Sequence, residues 1–152
     1  METKGGFYIS QIKQLQDRIF EKLLAENELE ISGGQGRILF VLWKHDRLTL
    51  SQISRETSLA KNSASIIVSG MVEKGMVQRA TDPHNRRQVI VSLTARSLAM
   101  RRQYEQVSQQ MTQLFYAGFS EAEQQAFEGC LLRILNTLTA AEQPKNKQNE
   151  SE

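Results

Sequence analysis

A candidate helix from about Lys61 to Lys74 combines a regular apolar stripe with a polar surface that carries no acidic residue before Glu73. Its apolar residues recur at the spacing of one buried helix face and are Ala64, Ile67, Val68 and Met71. The opposite face is formed by Lys61, Asn62, Ser63, Ser65, Ile66, Ser69 and Gly70. Asparagine can pair with adenine, serine can bind phosphates or base edges, and isoleucine can contact a thymine methyl group. This face therefore predicts binding in a nucleic-acid groove; the alternative is a helix whose serines only face solvent.

A hairpin with a basic tip is predicted next along the chain. After Gly75 the apolar residues alternate with polar ones, which indicates two strands joined by the turn Asp82-Pro83-His84-Asn85. Arg86 and Arg87 fall at the tip, where paired arginines suit phosphate contact and entry into a narrow minor groove. Each could also be an ordinary surface arginine. The candidate binding helix that precedes them, however, favours a role of both arginines in nucleic-acid binding.

The elements that must position these two surfaces follow the order α-α-α-α-β-β-α-α. Ser32 with Gln35, and Thr49 with Gln52, form capping boxes that predict the starts of the second and third helices. The third helix is expected to end near Thr57, so that it forms a helix-turn-helix with the candidate binding helix. The predicted fold is mainly α with a small β-hairpin wing, a winged helix-turn-helix.

Long helices flank this winged part on both sides. The first is predicted over about residues 7–29, and the last begins with a capping box formed by Ser120 and Glu123. Between them, a helix after Thr94 has apolar residues at 4-3-4-3 spacing, namely Met100, Tyr104, Val107, Met111 and Leu114. Such a seam is typical of a helix with a partner helix, and a second copy of the chain would supply one. The alternative is that these helices pack only on each other.

Length and composition indicate one globular domain, since the chain has 152 residues, of which 39% are apolar and 24% charged. We expect a single domain over residues 1–141. Within it, residues 31–97 form the winged-helix lobe and residues 7–30 and 98–141 form dimerisation helices. The polar residues 142–152 are expected to form a disordered tail.

Charge is concentrated in the middle of the chain. Residues 37–97 carry ten basic and four acidic side chains, whereas the segments before and after them each have a net charge of −2. This separation is expected when one part of a protein meets phosphate and the rest does not.

Other classes of protein find little support. The N-terminus does not resemble a signal peptide, and no apolar run is long enough to span a bilayer, which favours a cytoplasmic protein. The glycine-rich segment with Gly33, Gly34 and Gly36 is not followed by the lysine and the serine or threonine of a phosphate-binding loop. His45 and His84 lie beside no ligand cluster, so we expect neither a metal nor another cofactor. The sequence contains no nucleophile motif, which argues against an enzyme.

The single cysteine, Cys130, fits a reducing compartment and is expected to be a buried, inert residue.

Three segments resemble the MarR (multiple-antibiotic-resistance regulator) family. Residues 31–39 are similar to its "LTxxQxxIL" opening, and residues 71–79 to its "LExKGLVxR" segment. Residues 82–87, followed by Val91-Ser92-Leu93-Thr94, resemble its "DPxDRR…vxLT" wing. The order and spacing match over residues 31–94, and the long flanking helices match the family's dimerisation region, so that the resemblance covers nearly the whole chain.

The resemblance implies a homodimeric repressor or activator that binds a pseudo-palindromic operator in double-stranded DNA. In many family members a small phenolic or lipophilic effector, or an oxidant, lowers DNA affinity. Trp43 and Tyr104 are candidates for such an effector pocket, although aromatic residues of this kind more often pack in a core. We expect Asp82 and Asn85 to orient the wing. A second hypothesis keeps the fold but loses DNA binding, leaving a winged helix that binds another protein.

The sequence departs from the family pattern at three places. Asn85 replaces the usual aspartate that orients the arginine at position 87, which predicts a looser wing. Ile66 stands where a basic residue is frequent, and Thr94-Ala95-Arg96-Ser97 lacks a glycine that often follows the threonine.

Overall fold

A computed structural model describes residues 1–143. Within this range the helices are α1 Gly5–Glu26, α2 Gly33–Lys44, α3 Leu50–Thr57, α4 Lys61–Glu73, α5 Ala95–Phe115 and α6 Glu121–Glu142. The strands of the same range are β1 Leu48–Thr49, β2 Val77–Asp82 and β3 Asn85–Leu93. The predicted fold class, mainly α with a β-hairpin wing, is confirmed. The tail predicted over residues 142–152 lies outside the described residues, except for Glu142, which ends α6, and Gln143.

The sheet contains one strand more than the sequence predicted. It is antiparallel with the order β1-β3-β2, and Leu48 of β1 pairs with Val91 of β3. Strand β1 has only two residues, too few for an alternating pattern to be visible. The turn before β1 is held by Asp46. Its Oδ1 atom accepts hydrogen bonds from the backbone N–H of Arg47 at 2.8 Å and from that of Leu93 at 2.9 Å. The predicted order of elements was therefore wrong at this one place.

Local sequence determines where most helices begin and end. Ser32 with Gln35, Thr49 with Gln52 and Ser120 with Glu123 all form reciprocal capping boxes, as predicted. Helix α3 ends at Thr57, and Ser58 makes the turn to α4 with a positive φ of 59°. Gly75 follows α4 with a φ of 72°, a conformation that favours glycine.

Contacts divide the chain into two compact units, Met1–Gln113 and the part that begins at Leu114. The core of the first unit surrounds α2, whose Ile38, Leu39 and Leu42 are fully buried. It includes Ala64, Val68 and Met71, the predicted inner face of α4, with Ile67 partly buried against it.

Two glycines of α2 lie where neighbouring side chains come close to its backbone. A Cβ atom at Gly36 would lie 2.9 Å from the ring and hydroxyl of Tyr104, and one at Gly34 would lie 2.9 Å from Ile67 Cδ1. The buried Tyr104 ring therefore leaves no room for a Cβ atom at Gly36, whereas at Gly34 the close atom is the terminal methyl group of Ile67, which can rotate away. Gly36 thus serves packing of α2 against α5.

The α5 seam is covered by the chain itself in its middle part. Tyr104 and Val107 are buried within the first unit, and the Tyr104 ring lies 5.7 Å from that of Phe20 and 5.0 Å from that of Trp43. The expectation that this seam needs a partner helix was wrong for these residues, because α1 and α2 already fill the space beside them. Helix α1, by contrast, leaves Ile12 and Leu15 41% and 50% exposed.

The second unit, described to residue 143, consists of the end of α5, a turn and α6. An aromatic cluster joins the two helices and contains Phe115, Tyr116, Phe119 and Phe127. Helix α6 has no buried residue in a single chain, and its large apolar residues Leu132, Ile134, Leu135 and Leu138 are exposed. Cys130 is exposed as well, so its predicted burial was wrong. The aromatic cluster packs against Phe127, but no residue of the described range 1–143 buries Cys130.

Candidate DNA interface

The polar face of α4 points away from the core, as its spacing predicted. Burial of Ala64, Val68 and Met71 fixes the rotation of the helix, so that the residues between them face outward. Lys61, Asn62, Ser63 and Ile66 are exposed, whereas Ser65 and Ser69 are half-buried. Ile66 is the most prominent of the apolar residues of this face, with 74% of its surface exposed.

The hydroxyl group of Ser69 already has two partners within the protein. It donates a hydrogen bond to the backbone oxygen of Ser65 at 3.0 Å and accepts one from Arg79 Nη1 at 3.2 Å. A serine hydroxyl has a single hydrogen to donate. In this arrangement Ser69 has no donor left for a phosphate or a base edge.

The wing is a tight turn between β2 and β3 with exposed Arg86 and Arg87. Asp82 Oδ1 accepts a hydrogen bond from the backbone N–H of His84 at 2.9 Å, and Asn85 Oδ1 accepts one from the backbone N–H of Arg87 at 3.2 Å. Both side chains therefore hold the backbone of the turn. Since a backbone N–H needs only an oxygen acceptor, asparagine makes this contact without the charge that an aspartate would add.

The cations of this surface are not neutralised by neighbouring carboxylates. Among residues 1–143 the ion pairs are Lys13 with Asp17 and Arg101 with Glu105, both away from α4 and the wing. Lys61, Arg86, Arg87 and Arg79 thus have no carboxylate of the described residues within 4.0 Å. An arrangement of free cations beside a polar helix face favours binding of a polyanion.

Arg79 is a basic residue of this surface that the sequence analysis did not assign. Two features of the sequence single out Arg79. It lies two residues after Val77, which places both side chains on one face of β2, and it belongs to the family-like segment of residues 71–79. Neither signal shows that the side chain reaches α4, because that contact joins two elements.

Trp43 and Tyr104 lie in the core of the first unit. They are 8% and 6% exposed, and Trp43 Nε1 donates a hydrogen bond to the backbone oxygen of Ser97 at 3.2 Å. Burial raises the pKa of the Tyr104 phenol to about 12, an effect that the nearby Arg37 charge partly opposes. These contacts account for both residues as packing residues; their role in an effector pocket stays a prediction.

The Tyr104 phenol predicts a pH dependence of stability. Its pKa is higher in the folded chain than its ordinary value near 10, so the stability it contributes is complete below about pH 10. As the pH rises towards 12, the unfolded chain loses this proton first, and the free energy of unfolding should fall by roughly 2 kcal/mol. Urea unfolding from about pH 9 to about pH 12 should therefore show a steeper loss for the natural chain than for Tyr104→Phe. Parallel pH profiles for the two proteins would contradict this.

Between residues 1 and 143 no group of three His, Cys, Asp or Glu side chains is placed to hold a metal ion. No helix of that range is both long and apolar enough to cross a bilayer.

Comparison with known proteins identifies the same architecture. A model of the MarR family matches residues 29–88. The transcriptional repressor IacR of Pseudomonas putida is 23% identical over 132 residues, which cover 87% of this chain and 78% of that protein. A mutant MarR of E. coli complexed with operator DNA is 25% identical, with a TM-score of 0.78 and coverage of 86% of this chain and 92% of that one. BpsR of Bordetella bronchiseptica, whose DNA binding is regulated by 6-hydroxynicotinic acid, shares the fold at 20% identity and a TM-score of 0.79, with coverage of 87% and 98%.

The family match falls on α2 to the wing, the part that carries the polar face of α4 and the free arginines. The structural matches extend to the long flanking helices. The family consists of transcriptional regulators rather than enzymes. The chain is thus similar to the MarR family of transcriptional regulators over residues 29–88, and it shares the winged-helix fold of E. coli MarR.

Proposed function

We propose that the protein is a homodimer that binds a pseudo-palindromic operator in double-stranded DNA through α4 and the wing. The observation that carries this proposal is the outer face of α4, which has no acidic residue from Lys61 to Val72, beside cations that have no carboxylate partner among the described residues. In this proposal Lys61, Asn62 and Ser63 enter the major groove with Ile66, while Arg86 and Arg87 reach the adjacent minor groove.

The exposed apolar surfaces of α1 and α6 support the dimer. Large apolar residues rarely gather on a free surface, and here they line two long helices. The exposed residues are Phe7, Tyr8, Ile9, Ile12, Leu15 and Ile19 on α1, with Leu132, Ile134, Leu135 and Leu138 on α6. A second copy would bury them in a symmetric interface, with residues 7–30 and 98–141 as the dimerisation region. Residues 31–97 would then form the DNA-binding lobe of each subunit.

The proposed mode of action is repression released by a small phenolic or lipophilic effector, with Trp43 and Tyr104 as candidate pocket residues. The name of IacR describes a repressor, and BpsR is regulated by 6-hydroxynicotinic acid. The BpsR comparison supplies 6-hydroxynicotinic acid as a first compound to test. An effector that binds the DNA-free conformation more tightly would lower operator affinity by mass action.

Selection of bound sites from random genomic fragments, at low and moderate salt, tests the proposal. We expect a set of related sites with inverted symmetry and an affinity that falls steeply with salt. Repeating the selection with aromatic acids then tests effector release. A protein that binds no fragment at either salt concentration would instead support the winged helix as a protein-binding module.

Arg87→Ala should weaken operator binding by roughly 1–3 kcal/mol, the range of a good arginine contact. Its backbone N–H, which binds Asn85, is retained in this variant, so the turn should stay folded. Fluorescence anisotropy with a labelled operator measures the change, and Lys4→Ala, outside the winged lobe and the proposed dimerisation region, provides a control that also removes one exposed charge. If Arg87→Ala bound as tightly as the natural protein, the wing would not contact the operator.

A further inference from the structure

The side chain of Arg79 bridges the sheet and α4. Arg79 pairs across the sheet with Val91, which is fully buried, and lies two residues beyond the buried Val77. Its side chain therefore starts on the inner face of β2 and ends at the outer face of α4, where Nη1 donates to Ser69 Oγ at 3.2 Å. The guanidinium group is therefore held where β2 packs beside α4, between the outer face of the helix and the wing.

The hydrogen bonds of Ser69 suit a residue that orients an arginine. Its hydrogen is donated to the backbone oxygen of Ser65, which directs the oxygen lone pairs towards Arg79. Arginine has five N–H donors, so this contact leaves four of them available. The charge is also available, because no described carboxylate lies within 4.0 Å of it.

The position of this group matches one feature of a duplex. Arg79 precedes the turn residue Asp82 by three positions, which places it about 10 Å back from the wing tip. If α4 occupies a major groove and the wing tip the next minor groove, the sugar-phosphate strand that separates the grooves must pass between them. A guanidinium group in this position faces that strand.

We propose that Arg79 binds a phosphate of this intervening strand, and that Ser69 is a positioning residue for Arg79 instead of a direct DNA contact. The inference rests on the proposed DNA binding and adds two things to it. It assigns a phosphate contact that links the two groove contacts, and it changes the role of Ser69. A contact of this kind raises affinity for all sequences alike.

The salt dependence of binding tests the role of Arg79. Each neutralised phosphate contributes about 0.9 to the slope of log affinity against log salt concentration. Arg79→Ala should therefore reduce the slope by about 2 for a dimer and lower affinity on the order of 10-fold for operator and unrelated DNA alike. Arg79→Lys should keep most of the slope, and Lys4→Ala, which removes an exposed charge outside the winged lobe and the proposed dimerisation region, should leave it unchanged.

A double-mutant cycle tests the role of Ser69. If Ser69 acts through Arg79, Ser69→Ala should weaken binding about 3-fold in the natural protein and not at all in the Arg79→Ala background. Additive losses would show that Ser69 contacts DNA itself and would overturn its assignment. Thermal unfolding of all variants checks that they remain folded.

The two levels of the proposal fail in different ways. If the natural protein bound no DNA in a salt-dependent manner, the proposed function itself would be wrong. If it bound DNA but Arg79→Ala left both slope and affinity unchanged, only the phosphate contact would be overturned.

Discussion

Replacing Ile66 by glutamate should lower operator affinity on the order of 100-fold or more while leaving the protein folded. In the free chain 74% of this side chain is exposed, so the change should alter the free energy of unfolding by no more than about 0.5 kcal/mol. In the proposed complex the new carboxylate lies among phosphates, where juxtaposed like charges cost several kcal/mol. A dimer would suffer this repulsion twice.

Two further variants make the Ile66 experiment specific. Phe40→Glu introduces the same charge at another exposed apolar residue, on α2, and should bind the operator almost normally. Ile66→Lys should retain or raise affinity for DNA in general but discriminate less between sequences, because it exchanges a contact with base methyl groups for one with phosphates. Gel shifts with operator and unrelated DNA at about 0.15 M salt measure all three. Normal operator binding by Ile66→Glu would remove α4 from the interface.

The double variant Leu135→Glu/Leu138→Glu should be a monomer with operator affinity on the order of 100-fold lower. Both residues are exposed on α6, at 50% and 62%, so a single folded chain has little to lose from their replacement. At a dimer interface, however, the two carboxylates would be buried without partners. The loss of DNA affinity follows because two linked half-site contacts bind far more tightly than one.

Sedimentation equilibrium at micromolar concentration, together with anisotropy on the same operator, measures the two effects of this double variant. Asn136→Glu is the control, since it adds a carboxylate to the same helix about 100° from Leu135 and about 200° from Leu138 around its axis. The control should remain a dimer. A natural protein that sedimented as a monomer, or a double variant that stayed dimeric, would contradict the proposed use of α6.

The sequence was most informative where structure depends on neighbours along the chain. The capping boxes that begin with Ser32, Thr49 and Ser120 formed as predicted because their partners lie three residues away. The buried stripe of α4 could be predicted as well, since helical spacing alone places Ala64, Val68 and Met71 on one face. From that stripe the outward direction of Ile66 and Asn62 also follows.

Features that join distant segments were not predicted. Strand β1 forms only because β3 is available beside it, and the bond between Arg79 and Ser69 requires β2 to pack next to α4. The same limit applied to burial. Tyr104 is covered by Phe20 and Trp43, whereas Cys130 is exposed among residues 1–143, although both occur among regularly spaced apolar residues.

Methylation interference on an operator recovered from genomic fragments tests the central claim most directly, because methyl groups on guanine N7 block contacts in the major groove. Two copies of α4 should give two clusters of interference, symmetric in sequence and about 10 base pairs apart. A single cluster, or bound DNA without interference in the major groove, would contradict a symmetric pair of α4 helices in successive major grooves.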